Sequence, residues 1–189
     1  MPKSVDIEVK RSEFITASVD VIALEGLPAA TLRRIAEKAG CTTGSLTHYY
    51  SDRKSLLLET LRAVHNAAGQ RMVETVAGNT SDFEKLHAVL REALPLDETR
   101  LKEWRVWLAF WANAMDDEAL TAENTKRYQQ WCDAVEQLLS PFIAPEEVKT
   151  ETAYLIALVD GLGVGIARQA IHPTSLSEAQ AACENSIVY

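Results

Sequence analysis

The sequence predicts an all-α protein of about nine helices, in which a small N-terminal three-helix module precedes a larger helical domain. Apolar residues recur at helical spacing along most of the 189 residues. Glycine and proline interrupt this spacing at intervals, where helices end and turns begin. No segment shows the alternating pattern of a strand, and no repeat or low-complexity stretch is present.

The first helix is predicted from about Lys10 to Leu24, after a loose tail. Its inner stripe consists of Phe14, Ala17, Val21 and Leu24. The helix ends at the sequence Glu-Gly-Leu-Pro over residues 25–28, because glycine permits a C-terminal turn and proline cannot continue the helix.

Two short helices follow and form the centre of the module. Thr31 precedes the first and can cap its free N–H groups, while Gly40 follows its last periodic residue, Ala39. Thr42 or Thr43 then caps a second short, polar helix. A helix, a turn containing glycine and a short polar helix are typical of a helix-turn-helix.

The remaining helices belong to the second domain, so we place the boundary between residues 1–54 and 55–189. A long helix from Leu56 toward Val76 joins the two domains. Four further helices are predicted over residues 82–94, 98–115, 118–140 and 145–170, and a short last helix over 175–187.

The bulk properties indicate a cytoplasmic protein. We find no secretory signal and no run of 18 or more apolar residues, which argues against a membrane segment. The three cysteines are far apart, and no metal-ligand spacing or cofactor-binding loop is present, so no metal or cofactor is expected. His65 and His87 are lone helical histidines, and no catalytic constellation argues for an enzyme.

The charge is distributed unevenly. The net charge is −8, but residues 1–60 carry eight basic and eight acidic residues, so the excess of 19 − 11 = 8 acids lies in residues 61–189. Residues 28–58 carry five basic and two acidic residues. This local excess predicts a basic face that nucleic-acid phosphates would contact.

The run AGCTTGSLTHYYSDRKSLL, residues 39–57, resembles the DNA-binding signature of TetR-family transcriptional regulators. Spacing, turn glycine and helix order agree, although Thr47 stands where most members carry tyrosine. The resemblance implies a homodimer whose second short helix lies in the major groove of double-stranded operator DNA. Two such helices would read half-sites about 34–36 Å apart.

The motif also indicates which residues contact DNA. The candidates near base edges are Arg33, Thr43, Gly44, Ser45 and Tyr49. The phosphate candidates are Thr31, Thr42, Thr47, Tyr49, Arg53 and Lys54. His48 could be either a DNA contact or a structural residue. Arg33 can donate two hydrogen bonds to guanine, whereas phosphate contacts position the helix without reading sequence. Leu46 and Tyr50 are expected in the core.

All four tryptophans lie on two predicted helices. Trp104, Trp107 and Trp111 recur on one face with Phe110 beside them, and Tyr128 and Trp131 are three residues apart on the next helix. These six rings can be ordinary core, since aromatic side chains bury much area. They can also form the wall of a ligand site, because ring faces attract organic cations.

The segments EWRVWLAFWANAM, RYQQW and LIALVDGLGVGIAR resemble the BetI-like, choline-responsive branch of the family. The resemblance implies a quaternary ammonium effector, although a polyamine or another amphiphile remains an alternative. Glu103 and Asp160 could balance a cation. For Asp160 we favour a structural hydrogen bond to a neighbouring helix end over a ligand contact, because a buried carboxylate requires a partner.

Gly161, Gly163 and Gly165 permit close approach of another helix. In TetR-like proteins the last two helices form the dimer interface, so these glycines are interface candidates, and an internal crossing is the alternative. We therefore interpret the chain as a ligand-responsive homodimeric repressor. The alternative is a small-molecule-binding helical protein without DNA-binding activity.

Overall fold

The computed structural model describes residues 3–113 and 117–168, and all regular structure in those ranges is helical. The eight α-helices are α1 (Lys3–Glu25), α2 (Leu32–Lys38), α3 (Thr43–Thr47), α4 (Arg53–Ala77), α5 (Asp82–Glu92), α6 (Glu98–Asn113), α7 (Glu118–Leu139) and α8 (Val148–Ala167). A 3₁₀ turn over Leu27–Ala29 separates α1 from α2. The all-α prediction is confirmed, and the helix predicted over residues 175–187 lies outside the described residues.

The helix ends follow local chemistry. The Thr31 and Thr42 hydroxyls each accept a backbone N–H three residues later, from Arg34 and Ser45, and so cap α2 and α3. Gly26 and Gly40 adopt φ of 86° and 69°, which allows the chain to turn sharply after α1 and α2. The prediction placed the start of α4 three residues too late, because it followed the apolar pattern.

The chain divides into two compact units. The first contains residues up to 66 together with 105–124, and the second contains residues 67–104 with the described residues from 125 onward. These compact units do not test the predicted boundary between a domain of residues 1–54 and a domain of residues 55–189, and that boundary stays a prediction.

The first unit contains a continuous hydrophobic core beneath the helix-turn-helix. Phe14 of α1, Leu46 of α3 and Leu61 of α4 are essentially inaccessible to solvent. Val106, Phe110 and Leu120 belong to the same cluster, so parts of α6 and α7 complete this core. The two short helices α2 and α3 therefore rest on a packed base rather than on an isolated three-helix bundle.

The second unit combines apolar packing with a network of charges. Arg71 of α4 donates to both carboxylate oxygens of Glu103 at 2.9 and 2.6 Å, and to Glu92 at 2.7 Å. Arg100 adds a bond of 3.0 Å to Glu92. Burial raises the pKa of Glu103 although Arg71 opposes this effect. The network joins α4, α5 and α6 within the unit.

Helix α8 is long and apolar enough to cross a membrane by length and composition, with a mean hydropathy of 1.3 in its most apolar window. Its buried positions, which include Ile156, Val159 and Gly163, form one stripe that packs inside the second unit. Tyr154 and Leu158 on the other side are exposed. This pattern is typical of a core helix with one uncovered apolar face.

Candidate functional site

Helix α3 presents a polar surface. Its exposed residues, together with the cap and the residue that follows, are Thr42, Thr43, Gly44, Ser45, Thr47 and His48. Leu46 is fully buried and Tyr50 is 2% exposed, as expected for residues that hold the helix on the core. The short helix thus has one anchored side and one side of small hydroxyl groups, which suits close approach to base edges.

Tyr49 lies at the edge of this surface and is half-buried. Its ring packs against Phe14 with centroids 5.4 Å apart, and its backbone carbonyl accepts a hydrogen bond from Arg11 at 3.4 Å. Packing against Phe14 therefore fixes the position of the Tyr49 ring.

The threonine hydroxyls differ in what they can offer to a phosphate. Those of Thr31 and Thr42 accept backbone N–H groups, so their own O–H groups remain available to donate. The Thr47 hydroxyl donates to the carbonyl of Gly44 at 3.1 Å. A phosphate oxygen accepts hydrogen bonds and so needs a donor. The Thr47 hydroxyl already donates to Gly44, and Thr47 is therefore the least suited of the three to contact a phosphate.

All five basic residues of residues 28–58 have intramolecular partners. The pairs are Arg33 with Glu37, Arg34 with Glu25, Lys38 with Asp20, Lys54 with Asp117, and Arg53 with two backbone carbonyls. The local excess of 5 − 2 = 3 is matched by three carboxylates from outside the segment, Asp20, Glu25 and Asp117. Sequence reasoning missed these carboxylates, because only the tertiary fold brings them to the basic residues of the segment 28–58.

Arg33 is held only weakly. Its Nε lies 3.0 Å from Glu37 one turn later on α2, and its side chain is 84% exposed. An exposed pair at this spacing contributes little. Arg33 can therefore rotate away from Glu37 and extend toward a base.

Arg53 is held more firmly. Its Nε donates to the carbonyl of Ala30 at 2.7 Å, and a terminal nitrogen donates to the carbonyl of Leu27 at 2.6 Å. These bonds tie the first residue of α4 to the turn before α2. The sequence predicted a phosphate contact for Arg53, whereas two of its donor groups are used inside the unit.

Two ion pairs connect α4 with the start of α7 inside the first unit. Lys54 Nζ lies 2.9 Å from Asp117 Oδ1, and this contact lowers the pKa of Asp117. Arg62 donates twice to one oxygen of Glu123, at 2.9 and 2.8 Å. The start of α7 is therefore tied to α4, the helix that directly follows the helix-turn-helix.

Three of the six predicted aromatic residues lie in the first unit. The Trp107 ring stacks on His65 with centroids 5.5 Å apart, and Trp111 donates its indole N–H to Asn124 at 3.0 Å. Phe110 is fully buried in the hydrophobic core. Phe110 therefore has the position of a core residue. The sequence had left core packing and the wall of a ligand site as the two alternatives.

The other three lie in the second unit. Trp104 is 2% exposed and donates its indole N–H to the carbonyl of Ala93 at 2.8 Å, which is core packing. Tyr128 is exposed and donates its hydroxyl to Asp160 at 3.0 Å. Trp131, three residues further along α7, is half-buried.

Asp160 is a half-buried carboxylate on an apolar helix. Burial raises its pKa, although the hydrogen bond from Tyr128 opposes this effect. Burial and the Asp160 charge in turn raise the pKa of Tyr128 to about 12. The sequence favoured a hydrogen bond from Asp160 to a neighbouring helix end, whereas the partner in the structure is the side chain of Tyr128 in the middle of α7.

The three glycines of α8 occupy different environments. Gly163 is buried, and a Cβ there would meet the ring of Trp104, so this glycine serves packing within the unit. Gly161 is exposed with open space around it, and Gly165 is partly buried. In the part of the chain that the structure describes, no cluster of three His, Cys, Asp or Glu side chains could hold a metal ion.

Comparison with known proteins agrees with this arrangement. Residues 14–60 match the family of bacterial regulatory proteins, tetR family, and residues 83–188 match the BetI-type transcriptional repressor, C-terminal. The regulator BetI of Burkholderia thailandensis is 33% identical over 171 residues, which cover 86% of this chain and 84% of that protein. The regulator PksA of Bacillus subtilis is 29% identical over 174 residues, covering 87% and 82%.

Solved structures show the same fold. A transcriptional regulator from Rhodococcus sp. Rha1 superposes with a TM-score of 0.81 at 28% identity, over 94% of this chain and 95% of that one. A regulator from Saccharomonospora viridis, solved in complex with choline, gives 0.87 at 20% identity, over 96% and 97%. With the exposed helix-turn-helix, these matches show that the chain belongs to the BetI-type branch of the TetR family and is a transcriptional repressor rather than an enzyme.

Proposed function

We propose that this repressor reads its operator with α3 in the major groove and leaves the operator when it binds a small organic cation. The observation that carries the first part is the exposed hydroxyl surface of α3, which is backed by buried Leu46 and Tyr50. A rigidly supported helix with small exposed side chains can approach the floor of the groove.

Within this proposal some residues contact the bases and others contact the phosphates. Thr43, Gly44, Ser45 and His48 face the bases, and Arg33 extends from α2 toward a guanine. Thr31, Thr42 and Lys54 contact phosphates, with the phenol of Tyr49 at the edge. Phosphate contacts set the register and the salt dependence, and the base contacts set the sequence preference.

The effector part rests on the Tyr128–Asp160 pair. A half-buried carboxylate beside an aromatic hydroxyl and close to Trp131 in sequence is the combination that an ammonium group favours, through charge and through ring faces. The choline held by the Saccharomonospora viridis regulator supports a choline-like cation as the effector. Trp104 and Phe110 support the helices from within the core and do not contact the effector.

The dimer is proposed to form through the uncovered face of α8. Tyr154 is 66% exposed and Leu158 is 40% exposed, and Gly161 on the same side leaves room for close helix approach. An exposed apolar face of this kind is typical of an interface between subunits. Since the protein acts on operator DNA, we also propose that it works in the cytoplasm.

The operator is found by selecting from a random duplex library with the purified protein. Selected duplexes should contain two inverted half-sites one helical turn apart. Ser45→Ala with Thr43→Ala should lose the preference for the selected duplex but keep salt-dependent binding to random DNA. Selection of unrelated sequences without inverted symmetry would contradict the proposed mode of reading.

The effector class is tested by thermal shift with choline, spermidine and 3,3-dimethyl-1-butanol, the neutral isostere of choline. A bound ligand raises the midpoint by mass action. Choline should stabilise the protein and the isostere should not, and Asp160→Asn should abolish the difference between them. A larger shift with spermidine, or an equal shift with the isostere, would overturn a choline-like effector.

A further inference from the structure

The excess positive charge of residues 28–58 is matched by carboxylates from other parts of the same protein. The three acids that match this excess come from α1 and from the start of α7. Asp20 and Glu25 are on α1, and Asp117 directly precedes α7. A DNA phosphate that approaches Arg34, Lys38 or Lys54 must therefore compete with a carboxylate that is already there.

We propose that Asp117 competes with a DNA phosphate for Lys54, so that this ion pair limits the affinity of the repressor for DNA. The inference rests on the proposed phosphate contact of Lys54. Lys54 Nζ and Asp117 Oδ1 are 2.9 Å apart, the distance of a charge-assisted hydrogen bond. While this pair is formed, the Asp117 carboxylate offsets the Lys54 charge that DNA encounters.

Lys54 can exchange Asp117 for a DNA phosphate at a low cost in free energy. The Lys54 side chain is 51% exposed and that of Asp117 is 28% exposed, so water screens the attraction between them. The Arg53 bonds differ, since they reach carbonyls of the buried residues Leu27 and Ala30. Of these two neighbouring basic residues, Lys54 is therefore the one that a phosphate can recruit.

Helix α7 holds the competitor in place independently of Lys54. Asp117 Oδ1 also accepts the backbone N–H groups of Ala119 and Leu120, at 3.0 and 3.2 Å. These bonds cap the helix and keep the carboxylate at its start even when Lys54 leaves. Residue 117 belongs to the same unit as Lys54, so the competing carboxylate stays beside the DNA-reading helices.

Glu118 supplies a matched control. It is exposed and adjacent to Asp117, so Glu118→Gln removes one negative charge next to the same position. Asp117→Asn removes one charge as well but also releases Lys54, and asparagine retains the helix cap. Any difference between the two variants therefore reports the ion pair rather than the net charge.

The test measures binding of a fluorescein-labelled random-sequence 30-bp duplex at several salt concentrations. Asp117→Asn should bind about two- to fivefold more tightly than Glu118→Gln, which corresponds to release of an exposed ion pair. The slope of log K against log salt should steepen by about 0.9, the value for one added phosphate contact on duplex DNA. Adding Lys54→Gln to Asp117→Asn should remove both effects.

Three results would overturn the inference. Equal affinity and slope for Asp117→Asn and Glu118→Gln would show that the pair does not restrain Lys54. A gain that survives Lys54→Gln would assign the effect to another group. Salt-independent binding by the wild-type protein would remove the proposed DNA contact itself, and so would be distinguished from failure of the competition alone.

Discussion

The indole of Trp104 lies directly against Gly163, so closely that a Cβ on residue 163 would come within 2.1 Å of the ring carbon Cη2. The ring is also held by its N–H bond to Ala93. The contact joins α6 to α8, because the absence of a side chain at residue 163 leaves space for an indole.

Replacing Gly163 with alanine should therefore destabilise the protein by about 1–3 kcal/mol, the usual cost of overpacking a core. Gly69→Ala is the matched control, since Gly69 lies in α4 with open space around its Cα. That variant should be neutral or more stable, by up to about 1 kcal/mol from helix propensity. Equal stability of the two variants in chemical unfolding would show that the close contact has no energetic consequence.

Replacing Arg33 with alanine should weaken binding to the selected operator by about 1–3 kcal/mol, with little change on random DNA. The loss of affinity should be specific to the operator, because Arg33 is proposed to contact a base. Stability should hardly change, since the pair with Glu37 is exposed. Fluorescence anisotropy with both duplexes measures this, with Lys126→Gln on α7 as a control. Equal weakening on both duplexes would instead assign Arg33 to a phosphate.

Replacing Arg53 with lysine preserves the charge but not the planar fork that reaches two carbonyls. We expect a loss of stability of about 1–3 kcal/mol, because one ammonium group cannot reach both carbonyls, so the carbonyl of Ala30 or of Leu27 loses a charge-assisted hydrogen bond. Arg33→Lys should lose almost none. If Arg53→Lys instead leaves both the melting temperature and the operator affinity at wild-type values, the arginine acts as a simple positive charge.

Acid should stabilise the wild-type protein relative to Asp160→Asn. Burial raises the folded-state pKa of Asp160 above its ordinary value of 3.8, so the folded protein binds this proton more tightly than the unfolded chain. The stabilising contribution is fully present below the ordinary pKa and is lost as pH rises through the raised one. Asparagine can still accept the Tyr128 hydrogen bond but carries no charge.

The measurement is the melting temperature of both proteins between about pH 7 and 4, the range through which a raised aspartate pKa titrates. Asp160→Asn should be the more stable variant at neutral pH, and its advantage should shrink as the wild-type carboxyl gains its proton. A constant difference across this range would show that Asp160 does not titrate there.

Most of the fold could be predicted from the sequence, because helix starts and stops depend on nearby residues. Gly26 and Gly40 end α1 and α2, and Thr31 and Thr42 cap the helices that follow. The start of α4 was placed too late, at Leu56, since Asp52 caps it through the N–H of Ser55 at 2.7 Å and the apolar pattern begins later.

The site was predicted less completely, because it depends on partners that are distant in sequence. The local excess of basic residues was correct as a count, but it does not form a free basic face. Asp117 lies 63 positions beyond Lys54, since 117 − 54 = 63, and only the fold brings them together. The tryptophan spacing likewise could not show that Trp104 packs on Gly163 while Trp107 stacks on His65.

Release of the operator by the effector is tested most directly by the affinity of the wild-type protein for its selected operator duplex with and without choline, at fixed salt. Binding should depend on salt, and choline should weaken it about 5- to 150-fold, the usual range of coupling between two sites. The neutral isostere should have no effect. If choline binds the protein but leaves operator affinity unchanged, the repressor is not released by a choline-like effector.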